Sequence, residues 1–470
     1  MARQTLTKEF EAQGHFWLPA YSDTMVAGKF AFRPGDEILL ELTGQLKQPA
    51  PGPLQARVYP VIMGTLVNGE KLTLLDAFEQ SHQFGAGFGD FTRVVANGAL
   101  IGDHIAQPES ELFHGCRAGF TCFAEWCGIR PISVCSGKTS KRGTRYKATC
   151  DPAPPLVIEV PTPKLTLRMC GWLSSPSQNW CALNWQYRWL LEISPAKPAR
   201  LDWLKRLVFH FQILMCMLVG EPVAVVHESF QKPEPEPEKW GPTRDIEHLF
   251  VQRVTRAKDG LLPEQMLCPL PEIANLDAFV GKWYARMDRM RVVYDLLFED
   301  FRDGYGVLEA GFLGMAQAVE AYHRRTSSKS YMPKKDWKKV ERALGGAIPS
   351  EVSSSHRESL RSRVHYGNEF SFRKRVQLLL RRLPKKLVKR LTVNPSAFVN
   401  KVTDTRNYLT HYDANLKCNS YEGEQLLHAA QRLKMLLVAL TLRDLGIPGM
   451  KILELIEGHR PTEYTLDRPL

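Results

Sequence analysis

The chain has 470 residues, 44% apolar and 24% charged, which is ordinary for a soluble globular protein and enough for two or three domains. No charged-then-apolar leader is visible, and the most apolar run, Leu207 to Gly220, is interrupted by His210 and Gln212 and is too short for a bilayer. A cytoplasmic protein with no membrane segment is therefore expected. The net charge of +12 is unevenly spread: residues 1 to 230 hold 22 Lys/Arg against 20 Asp/Glu, whereas residues 321 to 411 hold 22 against 6. Such a field draws a polyanion in a salt-sensitive way. The plain alternative is a solvated cationic surface. An anionic membrane is less suited, because no amphipathic helix offers a bulky apolar face.

The first 80 residues alternate short apolar stretches with Gly and Pro, as in "AGKFAFRPG" and "EILLELTG". Asn68-Gly69 between two apolar runs predicts a hairpin, and several short strands at this spacing predict a sandwich or barrel. The glycines from Gly85 to Gly102 mark loops and strand ends. Gly85-x-Gly87-x-Gly89 has no following helix and no P-loop lysine, so it is not read as a phosphate cradle.

Cys116, Cys122, Cys127, Cys135 and Cys150 fall in one region without a C-x-x-C pair or a common zinc spacing. Reduced thiols, with no metal or cofactor, are expected; a structural metal held by His114, Cys116, Cys122 and Cys127 is the alternative. Residues 131 to 155 read as a long excursion, with the basic "SGKTSKRGTRYK" as a mobile loop. Trp172, Trp180, Trp185, Trp189 and Trp203 then crowd a short stretch. They read either as a stacking platform for bases or sugars or, preferred here, as core strands, since Trp185, Tyr187 and Trp189 share a face.

A buried helix is predicted from about Ala199 to Val219. Two strands follow, "PVAVVHESF" and "DIEHLFVQRV", joined through the Pro-Glu repeat as an extended hairpin tip. The pattern breaks between residues 257 and 272, which sets two domains: residues 1–262, β-rich, and residues 263–470, all-α. Beyond that point apolar residues recur three and four apart. Helices are predicted over Asp336–Ala347, Ser354–Tyr366 and Ser371–Leu383, heavily basic, and over Glu422–Leu445. Between them Asn394 caps a helix opened by Pro395.

That capped helix delivers Arg406, Asn407 and, at its exit, His411. Asn407 and His411 are one turn apart on a shared face, with Arg406 beside them. An imidazole with an ordinary pKa near ~6.5 can take or give a proton near neutrality, and a guanidinium can grip a phosphate, a combination suited to metal-free RNA cleavage. Taken alone, the same residues read more simply as a helix C-terminus whose cations offset the dipole.

Arg-Asn-x-x-x-His between long helices resembles the signature of the HEPN ribonucleases. "TRNYLTHYD", with "FLGMAQAVEAYHRR" about eighty residues upstream, is similar to the ApeA-like HEPN domains of bacterial anti-phage proteins. "GHFWLPAYSDTMVAGKFAFRPG", residues 14–35, resembles the start of the N-terminal domain that accompanies them. The resemblance implies an α+β protein: a β-rich, sandwich- or barrel-like sensing domain, then an all-α HEPN bundle that cuts RNA by 2′-hydroxyl attack. It further implies a homodimer or higher homo-oligomer with one composite site per dimer. By the same resemblance folded tRNA is a substrate class, and a phage-derived trigger acts at the N-terminal domain. It assigns catalysis to Arg406, Asn407 and His411, with Glu320 facing the motif to fix Arg406. Glu320 is otherwise an intrahelical partner of Arg324. Tyr412 is a supporting residue able to stack on a base, and Tyr408 is expected to pack inward. Two rival readings remain open: a catalytically silent RNA-binding protein, and a ligand sensor in the Trp-rich domain with the helices used for dimerisation.

Overall fold

The computed structural model describes residues 5–47, 57–83, 89–139, 143–173, 177–179, 182–254, 260–302 and 306–470. It divides into two compact units, Met1–Ala285 with Phe301–Asp303, and Arg286–Asp300 with Gly304–Leu470.

In the first unit the period-two pattern forms six antiparallel strands: β1 (Phe10–Trp17), β2 (Val26–Phe32), β3 (Ile38–Thr43), β4 (Val58–Leu66), β5 (Lys71–Gln83) and β6 (Phe91–Ile101). The order β6-β3-β2-β1-β4-β5 closes on itself through β5–β6 pairing, so the predicted sandwich or barrel is a closed barrel with no free edge. Phe30, Phe32, Leu40, Leu42, Leu72 and Leu74, spaced by two, are all buried. The Asn68-Gly69 hairpin joins β4 to β5, with Gly69 at φ 83° and its N–H donated to the Leu66 carbonyl at 2.9 Å. Gly14 and Gly28 face each other across β1 and β2, where a methyl group would lie 2.6 Å from the carbonyl oxygens of Thr65 and Glu41. Only glycine lets the backbones approach so closely there.

The barrel continues into a wider sheet through β6. Its first half pairs with β3, and its last residues, from Gly98, pair with strand Thr243–Phe250. Gly98 thus sits inside a strand, not at an end, and a Cβ there would stand 3.1 Å from His248 Nε2. The sheet then runs through Val225–Pro233, Gly115–Phe120, Tyr187–Pro195, Leu165–Leu173 and Leu156–Val160. Val225–Pro233 and Thr243–Phe250 form the expected hairpin over the Pro-Glu tip. Helix Leu201–Val219 is buried along most of its length, Phe211 meeting Phe120 and Phe123, and Gly220 ends it at φ 85°.

Several expectations change. The basic excursion is a two-stranded ribbon, Ile132–Thr139 against Gly143–Cys150, because both arms keep extended register; its tip, residues 140–142, lies outside the described residues. Gly85, Gly87 and Trp180 also lie outside them. The tryptophans divide: Trp189 is 4% exposed and core, whereas Trp172 is 43% exposed beneath Arg117. The units change over at residues 285/286, later than the 262/263 read from the pattern break. The intervening residues are fastened to the first unit by main-chain bonds from Leu267 to Val219 and from Cys268 to Leu218. Trp283 adds to this by stacking on His210 at 4.4 Å.

In the second unit Leu308–Thr326 packs on Gly423–Leu445, where the Tyr322 hydroxyl donates to Asp444 at 2.6 Å. Pro395–His411, Phe372–Leu380 and a short helix not anticipated from sequence, Lys385–Thr392, complete the core of the bundle with Met287–Phe301, Gly449–Gly458 and Arg460–Asp467. Buried Arg432 donates to the carbonyls of Arg390, Leu391, Leu466 and Arg468, so one side chain closes two helix C-termini. Helices Lys334–Gly346 and Ser354–Tyr366 bury no side chain. No helix among the described residues is long and apolar enough to cross a membrane.

Candidate active site

The helix Pro395–His411 is built to stop at His411. Asn394 Oδ1 accepts from the amides of Ser396 and Ala397, both at 3.1 Å, and Pro395 occupies the first turn. Phe398, Val399, Val402, Thr405 and Leu409 bury one face. Thr405 is fully buried; its hydroxyl bonds the Lys401 carbonyl at 2.7 Å and accepts the Tyr421 amide at 2.9 Å, tying the helix to the next segment. Tyr412 then turns left-handed at φ 52°, and Asp413 caps a new short helix.

On the remaining face stand the motif residues. Arg406 Nη1 donates to Asn407 Oδ1 at 3.2 Å, its Nη2 lies 3.8 Å from Glu320 Oε2, and its guanidinium sits 5.9 Å from the Phe372 ring. His411 is exposed and makes no hydrogen bond or ion pair among the described residues. The structure thus brings Arg406, Asn407 and Glu320 together and leaves His411 accessible one turn on. Tyr412 is 70% exposed, its ring edge-on to Tyr408 at 5.8 Å; Tyr408 is half-buried and not part of the core.

Glu320 lies beside both of the partners weighed for it. Its Oε1 accepts from Arg324 Nη2 at 3.1 Å while its Oε2 faces Arg406. A third guanidinium, Arg375, lies 3.8 Å from it and is 5% exposed. Glu369 takes Arg324 at 2.5 Å and Arg375 at 3.4 Å, so two carboxylates bind three arginines together. Arg375 Nη1 is 3.1 Å from His323 Nδ1. Since a guanidinium can only donate, Nδ1 accepts and His323 is neutral. Burial, reinforced by Arg375, lowers the His323 pKa from 6.5 to about 4. Sequence reasoning missed Arg375 and Glu369. A signal existed: Arg375 lies on the same helix face as Phe372, Val376 and Leu379, a charge on a buried stripe.

Among the described residues no cluster of three or more His, Cys, Asp or Glu is placed to hold a metal ion. Cys116, Cys122 and Cys127 are buried, and burial pushes the Cys127 pKa up to about 12 while Trp189 donates to its sulfur at 3.1 Å.

The Apea-like HEPN family model matches residues 313–449, which contain Glu320, Arg375 and the whole Arg406–His411 turn. The family described as ApeA N-terminal domain 1 matches residues 11–283, covering the barrel and the sheet continuous with it. No curated protein and no solved structure matches the chain significantly. With its N-terminal β domain and its helical bundle both matched in order, the chain belongs to the ApeA-like HEPN family of anti-phage proteins.

Proposed function

We propose that this protein is a metal-independent endoribonuclease whose cutting residues are Arg406, Asn407 and His411. The ribose 2′-hydroxyl attacks the adjacent phosphorus; the 2′-O–P bond forms as the P–O5′ bond breaks. The 2′ proton passes to a general base, and a general acid protonates the departing 5′-oxygen, leaving a 2′,3′-cyclic phosphate and a 5′-hydroxyl. Arg406 stabilises the charge on the phosphate, Asn407 orients its guanidinium, and His411 moves the proton. One observation carries the reading: His411 stands exposed and without a hydrogen-bond partner among the described residues, one turn on from Asn407, whose amide oxygen accepts from the Arg406 that Glu320 faces. HEPN domains are in general nuclease-like and RNA-binding, which supports it.

The reaction uses a base and an acid, while each chain offers one motif histidine. Two copies facing each other therefore complete the site, in keeping with the two-fold pairing common among homo-oligomers. The β domain, placed at residues 1–262 by the sequence reading, senses a phage-derived trigger or restrains the nuclease of residues 263–470. Activity then halts the infected cell, with folded tRNA as the substrate class.

The test compares wild type with His411→Ala on total bacterial RNA in EDTA, identifying fragment ends. Cyclic-phosphate ends from wild type alone are the expected result. Equal cutting by the variant, or complete loss of wild-type cutting in EDTA, refutes the assignment; a fully active monomer by light scattering refutes the composite site.

A further inference from the structure

Helices Lys334–Gly346 and Ser354–Tyr366 bury no side chain, so they add nothing to the core, yet they are densely basic. Lys334–Gly346 carries an apolar stripe of Trp337, Val340 and Leu344 that is only part-covered, and its remaining face is charged. Together with the neighbouring bundle residues they border an open-mouthed cavity of about 480 Å³, lined among others by Lys329, Lys334, Trp337, Lys338, Tyr366 and Arg375.

Charge in this cavity is unbalanced. Of its two carboxylates, Glu341 is bound to His365 at 2.8 Å, and Glu369 is held by Arg324 and Arg375. Lys329, Lys334 and Lys338 make no ion pair among the described residues. Trp337 Nε1 is buried with no hydrogen-bond partner among them, a donor lacking an acceptor. The Trp337 ring lies across Gly367, whose absent Cβ would sit 3.0 Å from it. Tyr366 adds a second ring, 62% exposed. The far wall is shared with the candidate active site, because Arg324 and Arg375 also hold Glu320, the partner of Arg406.

Unpaired ammonium groups beside aromatic faces suit a nucleotide within a single strand: phosphate on the cations, base on a ring. We infer that this cavity binds the nucleotide of a single-stranded RNA segment next to the scissile bond, with Lys334 and Lys338 on its phosphate and Trp337 and Tyr366 about its base. The inference rests on the ribonuclease reading above and names a subsite for it.

The experiment is fluorescence anisotropy of the full chain with a labelled oligoribonucleotide whose riboses are all 2′-O-methyl, so that no attacking hydroxyl is present. For the double variant Lys334→Ala/Lys338→Ala, the slope of log affinity against log salt is expected to fall by about 0.7, the value for one phosphate contact on a single strand. Trp337→Ala is expected to weaken binding roughly tenfold, as loss of one base–aromatic stack does. Affinities within twofold of wild type and an unchanged slope in the lysine variant overturn the proposal. A reduced slope with no effect at Trp337 also overturns it, since that describes a diffuse cationic surface. The two readings fail separately: loss of cleavage in His411→Ala with unaltered binding by the cavity variants removes the subsite and leaves the nuclease standing. Cleavage by His411→Ala with weakened binding by the cavity variants does the reverse.

Discussion

Replacing Glu320 by Gln keeps the shape of the side chain and removes one of the two carboxylates that hold three arginines together. Two quantities should change by different amounts. At 3.8 Å from Arg406 the bare Coulomb attraction is about 4 kcal/mol at an effective dielectric constant of ~20. The Arg406 side chain is 35% exposed and makes no direct hydrogen bond to Glu320, so screening brings the net effect to about 1 kcal/mol. Realised in the transition state, that is a roughly fivefold slower cut. Arg375 is 5% exposed and would retain only Glu369, so the loss of stability should be larger, about 2 kcal/mol. The assay pairs urea denaturation with single-turnover cleavage at a temperature where the variant is folded. Arg324→Gln serves as the control, since that side chain is 47% exposed and its removal should cost under about 1 kcal/mol. If Glu320→Gln cuts at the wild-type rate and unfolds at the wild-type urea concentration, the carboxylate neither positions Arg406 nor offsets Arg375, and the reasoning fails.

Acid should weaken the bundle through His323. Its folded pKa, about 4, lies below the 6.5 of an ordinary imidazole, so the unfolded chain takes up the proton more readily. The stability due to the neutral ring is complete above about pH 6.5 and is lost progressively as pH falls towards 4. Melting temperatures at pH 7.5 and pH 5 should therefore fall less for His323→Gln than for wild type; equal drops refute this. Arg432→Met removes the donor from four main-chain carbonyls at two helix ends. A loss of about 3 kcal/mol in chemical denaturation is expected, and a change under about 0.5 kcal/mol would show that other donors or water replace it.

Much of the local structure was written in the sequence because its causes are local. Asn394 and Pro395 start the motif helix through hydrogen bonds and a fixed φ that involve only neighbouring residues. Asn68-Gly69 makes a hairpin because glycine adopts a positive φ without strain. The spacing of Arg406, Asn407 and His411 follows from helix geometry alone, and the charge excess of residues 321 to 411 needs only counting.

Tertiary structure decided what depends on residues distant in sequence. Closure of the barrel rests on β5 pairing with β6, a register that no single strand's pattern specifies. Trp283 reaches His210, about seventy residues earlier, and so falls with the first unit. The arginine cluster is the clearest case. Glu320, Glu369, Arg375 and Arg406 lie on separate segments, and only packing makes Glu320 both an intrahelical partner of Arg324 and the neighbour of Arg406. Sequence sets what each residue can offer within a turn or two of its own backbone. Which carboxylate meets which guanidinium, and so which way Arg406 points, is set by the long-range packing that lays Leu308–Thr326 against the helices bearing them.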